Sequence, residues 1–189
     1  MGASSSKSSS QLTLQQITQK IKSGQTKKII IMCGAGISTS AGVPDFRSPN
    51  LGIYFKLKKY NLPYPEAVFE YNYFRKNPEP FYKLIRELYP EKLEPTKTHK
   101  FFKVLEDKGL LQRVYTQNID ALEHLVKIDS KKIIEAHGTF QNNFCLKCGH
   151  KNDLEWFKQE LKSHDKVVTC SLANCNGTVK PNVVLFRHH

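Results

Sequence analysis

Four cysteines carry the clearest chemistry in the chain. Two residues lie between Cys145 and Cys148, four between Cys170 and Cys175, and twenty-one separate the pairs. Two such pairs supply the tetrahedral thiolate shell that Zn2+ takes in structural sites, although the second pair is two residues looser than the usual ribbon spacing. The expectation is one structural zinc ion, in a closed shell that leaves no position for substrate. Just upstream stands His137, within Glu135-Ala136-His137-Gly138-Thr139. An imidazole titrates near neutrality and is a candidate general base. Zinc ligation is its rival role, set aside because four cysteines already complete the shell.

Two earlier stretches have polar residues in places where ligands bind. Gly34-Ala35-Gly36-Ile37-Ser38 follows an apolar run. Glycines there let the backbone approach a phosphate, and the amides of the turn can bind anions. The third glycine of the dinucleotide fingerprint would fall at Thr39, and no acidic residue stands at the expected distance, so a tight turn without ligand is an equal reading. Thr116-Gln117-Asn118-Ile119-Asp120 follows a second apolar run. Ligands of open α/β sheets bind beyond strand carboxyl ends, which is where this segment falls; capping of the next helix by Asn118 or Asp120 is the plain alternative. Cys33, the fifth cysteine, reads as a small buried hydrophobe.

The elements that must position these residues are legible as alternating patterns. Residues 12–21 read as a short amphipathic helix ended by Gly24, and residues 27–33 as a strand buried on both faces. Residues 51–95 are aromatic-rich and cut into short helices by prolines, with Pro80 near the start of the helix over 81–88. A helix over 96–108 closes at Gly109, and strands follow at 110–115 and 132–136 with a helix between, over 119–126. An amphipathic helix covers 153–163, and 183–186 read as one more strand. Strands alternating with helices argue for an α/β parallel sheet.

Composition sets the outer limits. With 189 residues, 39% hydrophobic and 11% aromatic, the chain supports one domain, or one with a small insert, and a real core. No apolar run is long enough to span a bilayer, and the Ser-rich residues 1–12 lack the apolar stretch of a signal peptide. The net charge is +12, with sixteen Lys/Arg against seven Asp/Glu in residues 1–100. That balance favours anionic partners without naming one. Cysteines spaced for a metal suit a reducing compartment, so the expected location is cytoplasmic, with the nucleus or a membrane surface as alternatives. Met1-Gly2-Ala3-Ser4-Ser5-Ser6-Lys7 fits the N-myristoylation pattern. Lys7, Lys20, Lys22, Lys27 and Lys28 would add the electrostatic second signal for an anionic membrane.

In this order, the glycine turn running on to Pro44-Asp45-Phe46-Arg47-Ser48, the Gln-Asn-x-Asp element, the lone histidine and the cysteine pairs closely resemble the sirtuins, NAD-dependent protein-lysine deacylases. The resemblance runs from about Lys27 to Phe186. Tyr60-x-Leu62-Pro63-Tyr64-Pro65-Glu66-Ala67, Pro78-Glu79-Pro80-Phe81 and Lys108-Gly109-Leu110-Leu111 place it nearest class I. It implies part of a Rossmann-like, doubly wound parallel sheet over 27–138, a small helical segment inserted at 51–95 near the cofactor site, and a zinc-binding module over 139–180. Residues 1–26 would be a flexible lead and short helix, and 181–189 a return strand. It implies that Ala35, Gly36, Ser38, Thr39 and Asp45 line the NAD site, with Arg47 near diphosphate and ribose and Phe46 shielding the reactive sugar carbon. Asn118 and Asp120 would hold the nicotinamide carboxamide and ribose, Gln117 and Ile119 would surround them, and His137 would be the general base. The partner would be an acetyl-lysine protein, histone- or tubulin-like, and the products nicotinamide, free lysine and O-acetyl-ADP-ribose.

There are departures. Asn182 stands where the family commonly has Asp, and Arg187-His188-His189 where it continues Gly-Glu. The family's later adenosine-binding segments have no counterpart, so the chain reads as truncated. It is expected to bind NAD weakly, to turn over slowly or not at all, and to leave the sheet incompletely covered. A catalytically impaired fragment, or a zinc-dependent module binding protein or nucleic acid, is the alternative function.

Overall fold

The computed structural model describes residues 11–88, 93–163 and 165–186. The myristoylation pattern and the terminal Arg187-His188-His189 lie outside them. Three strands, β1 (Ile29–Cys33), β2 (Leu111–Thr116) and β3 (Ile133–Glu135), form a parallel sheet in the order β1-β2-β3. Helix α1 (Leu14–Lys22) precedes it, opened by a Thr13–Gln16 capping box and buried at no position. One face of the sheet packs on α5 (Lys97–Asp107): Phe102 and Leu105 close over Cys33, Leu111, Val114 and Ile133. The opposite face carries a cross-strand row, Met32, Tyr115 and Ile134, all exposed. The expectation of a strand buried on both sides therefore holds on one side only, among the described residues.

A second sheet is antiparallel, in the order β5-β4-β6: β4 (Gly138–Cys145), β5 (Lys151–Asp153) and β6 (Val179–Val183). Sequence reading missed β4 because its register breaks between Thr139 and Asn143, which disrupts the alternation a strand normally shows. The strand expected at 183–186 also differs. The ladder occupies Val179–Val183 and pairs with β4, not with the parallel sheet. Alternate burial then continues through Leu185, and Phe186 makes one bridge to Glu70.

The helices between β1 and α5 share their core with this second sheet. Helices α2 (Ile53–Leu57), α3 (Tyr71–Lys76) and α4 (Glu79–Leu88) meet α7 (Leu154–Ser163) and the strands around Phe74, Phe81, Tyr82, Phe140, Phe157 and Val179. Tyr82 is fully buried, which alone would cost its hydroxyl roughly 1–3 kcal/mol if left unpaired. Its hydroxyl donates to the Val179 carbonyl instead, stitching α4 to β6. Arg86, one turn on, donates Nε–H to the Leu161 carbonyl at 2.8 Å and so ties α4 to α7.

The two sheets meet at His137. Ala136 N–H bonds to the Thr116 carbonyl of the first sheet, and Val184 N–H bonds to the His137 carbonyl from the second. Gly138 makes the turn between them at φ +76°, and a Cβ there would lie 2.0 Å from the Asn182 carbonyl oxygen. Both the left-handed backbone and the close approach require glycine. Gly138→Ala is expected to cost at least about 2 kcal/mol and to lower the thermal midpoint by several degrees. Denaturant unfolding unchanged in this variant would contradict the junction described here.

Candidate active site and metal centre

Cys33, Thr116 and Glu135 are cross-strand neighbours at the carboxyl ends of β1, β2 and β3. The three chemistry-bearing segments leave from this one row. Gln117 N–H bonds to the Cys33 carbonyl at 3.0 Å, which starts the Gln-Asn-x-Asp loop against β1. Asn118 is buried, and its amide donates to the Gly34 carbonyl and to the Ser38 hydroxyl, both at 3.2 Å. Its own N–H is taken by the Thr116 hydroxyl at 3.1 Å. Asn118 therefore ties the glycine turn to the second loop. Asp120 accepts the Leu122 N–H at 3.1 Å, at the first residue of α6 (Leu122–Leu125). His124 of that helix reaches Glu135 at 3.2 Å, and this carboxylate holds its imidazole above the usual value.

His137 is exposed, with Nδ1 2.8 Å from the Gln117 carbonyl oxygen. A carbonyl only accepts, so in the neutral ring Nδ1 carries the proton and Nε2 the lone pair. Backbone geometry alone thus selects the tautomer that a general base needs.

The other expected site residues are disposed unequally. Ala35-Gly36-Ile37 form a single tight turn. A Cβ on Gly36 would meet nothing within 4 Å, so the fold itself gives no steric reason for glycine there; the open space fits a ligand's close approach. Ser38 is fully buried and reaches Asn118, not the surface. The Thr39 hydroxyl turns back to the Gly36 carbonyl at 3.2 Å. Asp45 accepts the Ser48 hydroxyl at 2.6 Å and the Ser48 N–H at 2.8 Å, bonds that hold its carboxyl below the usual range. Phe46 is exposed and leads an aromatic chain, 6.0 Å from Tyr54 and 5.9 Å from Phe69, with Phe69 in turn 6.4 Å from Phe186. Arg47 is exposed, and Ile119 packs on the larger core. An open groove of about 480 Å³ borders Gly34–Ile37, but neither His137 nor Asp120 lines it. The row of strand ends locates the chemistry better than the groove does.

Sequence reading missed two polar residues under these loops. His99 and Glu123 are fully buried, and burial pushes the His99 imidazole down. Each lies on a helix where a lone polar residue looks like surface, and no local pattern joins two positions so far apart in the chain.

The four cysteines converge. Sγ of Cys145 lies 3.6 Å from that of Cys175, and Sγ of Cys148 lies 3.7 Å from that of Cys170. All four sulfurs are within 4.8 Å of one another. Zn–S bonds of about 2.3 Å place tetrahedral sulfurs about 3.8 Å apart, so the donor set fits zinc. Lys147 N–H points at Cys145 Sγ from 3.4 Å. A Cβ on Gly177 would lie 2.5 Å from the same sulfur, so glycine is needed here to let the second loop close on it. His137 is not among the residues whose ligand atoms cluster with these four sulfurs.

A parallel sheet with three loops leaving its strand ends, joined through His137 to a four-cysteine module that could hold zinc, defines a mixed α/β protein. The chain belongs to the Sir2 family, whose profile matches residues 34–189. It is 50% identical over 178 residues to NAD-dependent protein deacetylase sirtuin-2 of Danio rerio, covering 93% of this chain and 46% of that protein. It is 50% identical over 173 residues to NAD-dependent protein deacetylase hst2 of Schizosaccharomyces pombe, covering 92% and 51%. Against NAD-dependent protein deacetylase sirtuin-3 of Mus musculus the identity is 44% over 185 residues, covering 98% and 54%. The chain spans about half the length of these curated relatives.

The metal centre generates a direct expectation. Purified chain should contain one zinc per molecule, and Cys148→Ser should lower both zinc content and thermal stability, because structural zinc contributes its binding energy to folding. Zinc-free protein with four thiols that titrate freely in the native state would rule the site out.

Proposed function

We propose that this site removes acetyl groups from protein lysines in an NAD-dependent reaction, releasing nicotinamide and O-acetyl-ADP-ribose. The observation that carries the reading is the His137–Gln117 hydrogen bond, which fixes a base beside the loop of Asn118 and Asp120. The three relatives support it, each being called an NAD-dependent protein deacetylase.

NAD bound here would supply an electrophilic ribose carbon with nicotinamide as its leaving group. The chain's own residues prepare for that chemistry. Nε2 of His137 accepts a proton from a hydroxyl presented to it, and the Gln117 carbonyl stabilises the imidazolium that forms, through Nδ1–H. The amides of the turn at Ala35 and Gly36 would bind phosphate oxygens, and Arg47 would add a positive charge. Asn118 holds the two loops at fixed separation, so that its neighbour Asp120 can position polar groups of the cofactor. Phe46, backed by Tyr54 and Phe69, closes the sugar face against water. The acetyl-lysine protein enters from the side of Val184 and Phe186, both exposed.

The test is turnover of an acetyl-lysine peptide with and without NAD. Wild-type turnover should require NAD, and His137→Ala should lower it by roughly 10²–10⁴-fold with the fold intact. NAD-dependent turnover that survives in His137→Ala sinks the assignment. No turnover, combined with salt-sensitive binding to nucleic acid, would favour a zinc-dependent binding module instead.

A further inference from the structure

We propose that Asn176 is a deamidation site under the control of the metal centre: the metal-loaded loop protects its side-chain amide, and loss of the metal opens it to conversion into an aspartyl or isoaspartyl residue. Asn176-Gly177 is the single Asn-Gly pair in the chain. Asparagine loses its amide most readily before glycine, because no side chain shields the following nitrogen. The fold demands this pair. A Cβ at position 177 would lie 2.5 Å from Cys145 Sγ and 2.6 Å from Lys147 Cβ, so only glycine fits. At position 176 the backbone is left-handed, with φ 51°, a conformation that asparagine tolerates better than most residues. Asn174, on the other side of Cys175, is left-handed too, with φ 65°.

The reaction needs only water. The Gly177 nitrogen attacks Cγ of Asn176 while its proton passes to solvent. The Cγ–Nδ2 bond breaks, ammonia leaves, and a five-membered imide closes. Water then opens the imide at either carbonyl. Attack at Cγ leaves aspartate. Attack at the main-chain carbonyl leaves isoaspartate, whose main chain runs through Cβ and Cγ and is one carbon longer. The balance is one water consumed and one ammonia released.

The geometry supplies both the opportunity and the restraint. Asn176 is exposed to water, and the Gly177 N–H has no hydrogen-bond partner among the described residues. The imide confines the nitrogen and Cγ to one small ring, which the backbone reaches by rotating about the Cα–C bond of Asn176. The loop resists that rotation because the carbonyls on both sides are clamped. The Cys170 N–H donates to the Gly177 carbonyl at 2.8 Å, and Lys147 Nζ donates to the Cys175 carbonyl at 2.9 Å. Both donors belong to the cysteine loops, so the clamps last while the four sulfurs stay gathered. A bound metal ion gathers them, and its loss permits local opening. Isoaspartate then prevents return. Its extra carbon displaces Gly177 from the tight space beside Cys145, and its carboxylate adds negative charge next to the thiolates. Deamidation thus makes metal loss permanent.

This inference rests on the zinc reading of the four cysteines. Zinc-loaded chain and chain stripped by a chelator are incubated side by side at physiological temperature and pH. A synthetic peptide of residues 170–180 in chelator sets the unrestrained rate. Peptide mapping with mass spectrometry reads isoaspartate at position 176, and metal analysis after zinc is restored reads reloading. Conversion should be at least about ten-fold slower in the zinc-loaded chain than in the stripped chain or the peptide. The converted fraction should fail to retake zinc. Asn176→Gly, which keeps the left-handed turn without the amide, should lose and retake zinc reversibly. If that variant fails to fold, wild type stripped and reloaded at once supplies the comparison. Equal rates in loaded and stripped chain, no isoaspartate at position 176, or converted chain that reloads like fresh chain overturns the proposal and leaves the zinc site standing. Purified chain that holds no zinc overturns both.

Discussion

Parallel strands end together, and in this chain that constraint places everything else. Cys33, Thr116 and Glu135 are in register, so the residues that follow them emerge side by side along one sheet edge. Antiparallel strands would have sent alternate loops to opposite ends. The main-chain bonds Gln117 to Cys33 and Ala136 to Thr116 carry the ladder one residue past the strands, so the loops begin from fixed points. Asn118 then locks the first loop to the second, and the Gln117 carbonyl orients the histidine at the start of the third. None of these contacts needs a charge, so the arrangement is not weakened by salt.

The four-cysteine module enters the same argument through eight residues of β4. That strand begins directly after His137 and ends at Cys145, with β6 paired along it. The Val184–His137 hydrogen bond and the crowded Gly138 turn make the histidine's backbone part of the second sheet as well as the first. A closed thiolate shell does no chemistry on a substrate. It can still hold the far end of the strand that follows His137, and the core shared with α3, α4 and α7 supplies the stiffness between.

Much of this was legible in the sequence, for reasons that differ by residue. The cysteine pairs were legible because ligand spacing is local. The helix ends at Thr96 and Gly109 were legible because capping is local too, and the structure places both there. Strand β4 was not, because its bulge breaks the two-residue period. The return strand was misassigned because an apolar run at 183–186 looks the same whether it joins a parallel sheet or covers an antiparallel one. Ser38 illustrates a further limit: the sequence shows that a hydroxyl stands in the loop but not that it is buried against Asn118. His99 and Glu123 lay beyond reach altogether, since only the tertiary fold brings them together.

The central claim is that main-chain geometry sets the tautomer of His137, and nitrogen-15 chemical shifts of the labelled imidazole report that tautomer directly. With the ring neutral, Nδ1 should show the shift of a protonated nitrogen and Nε2 that of a bare one, as the Gln117 carbonyl requires. The reverse pattern, with the proton on Nε2, would mean that the sheet edge does not prepare a base and would contradict the account.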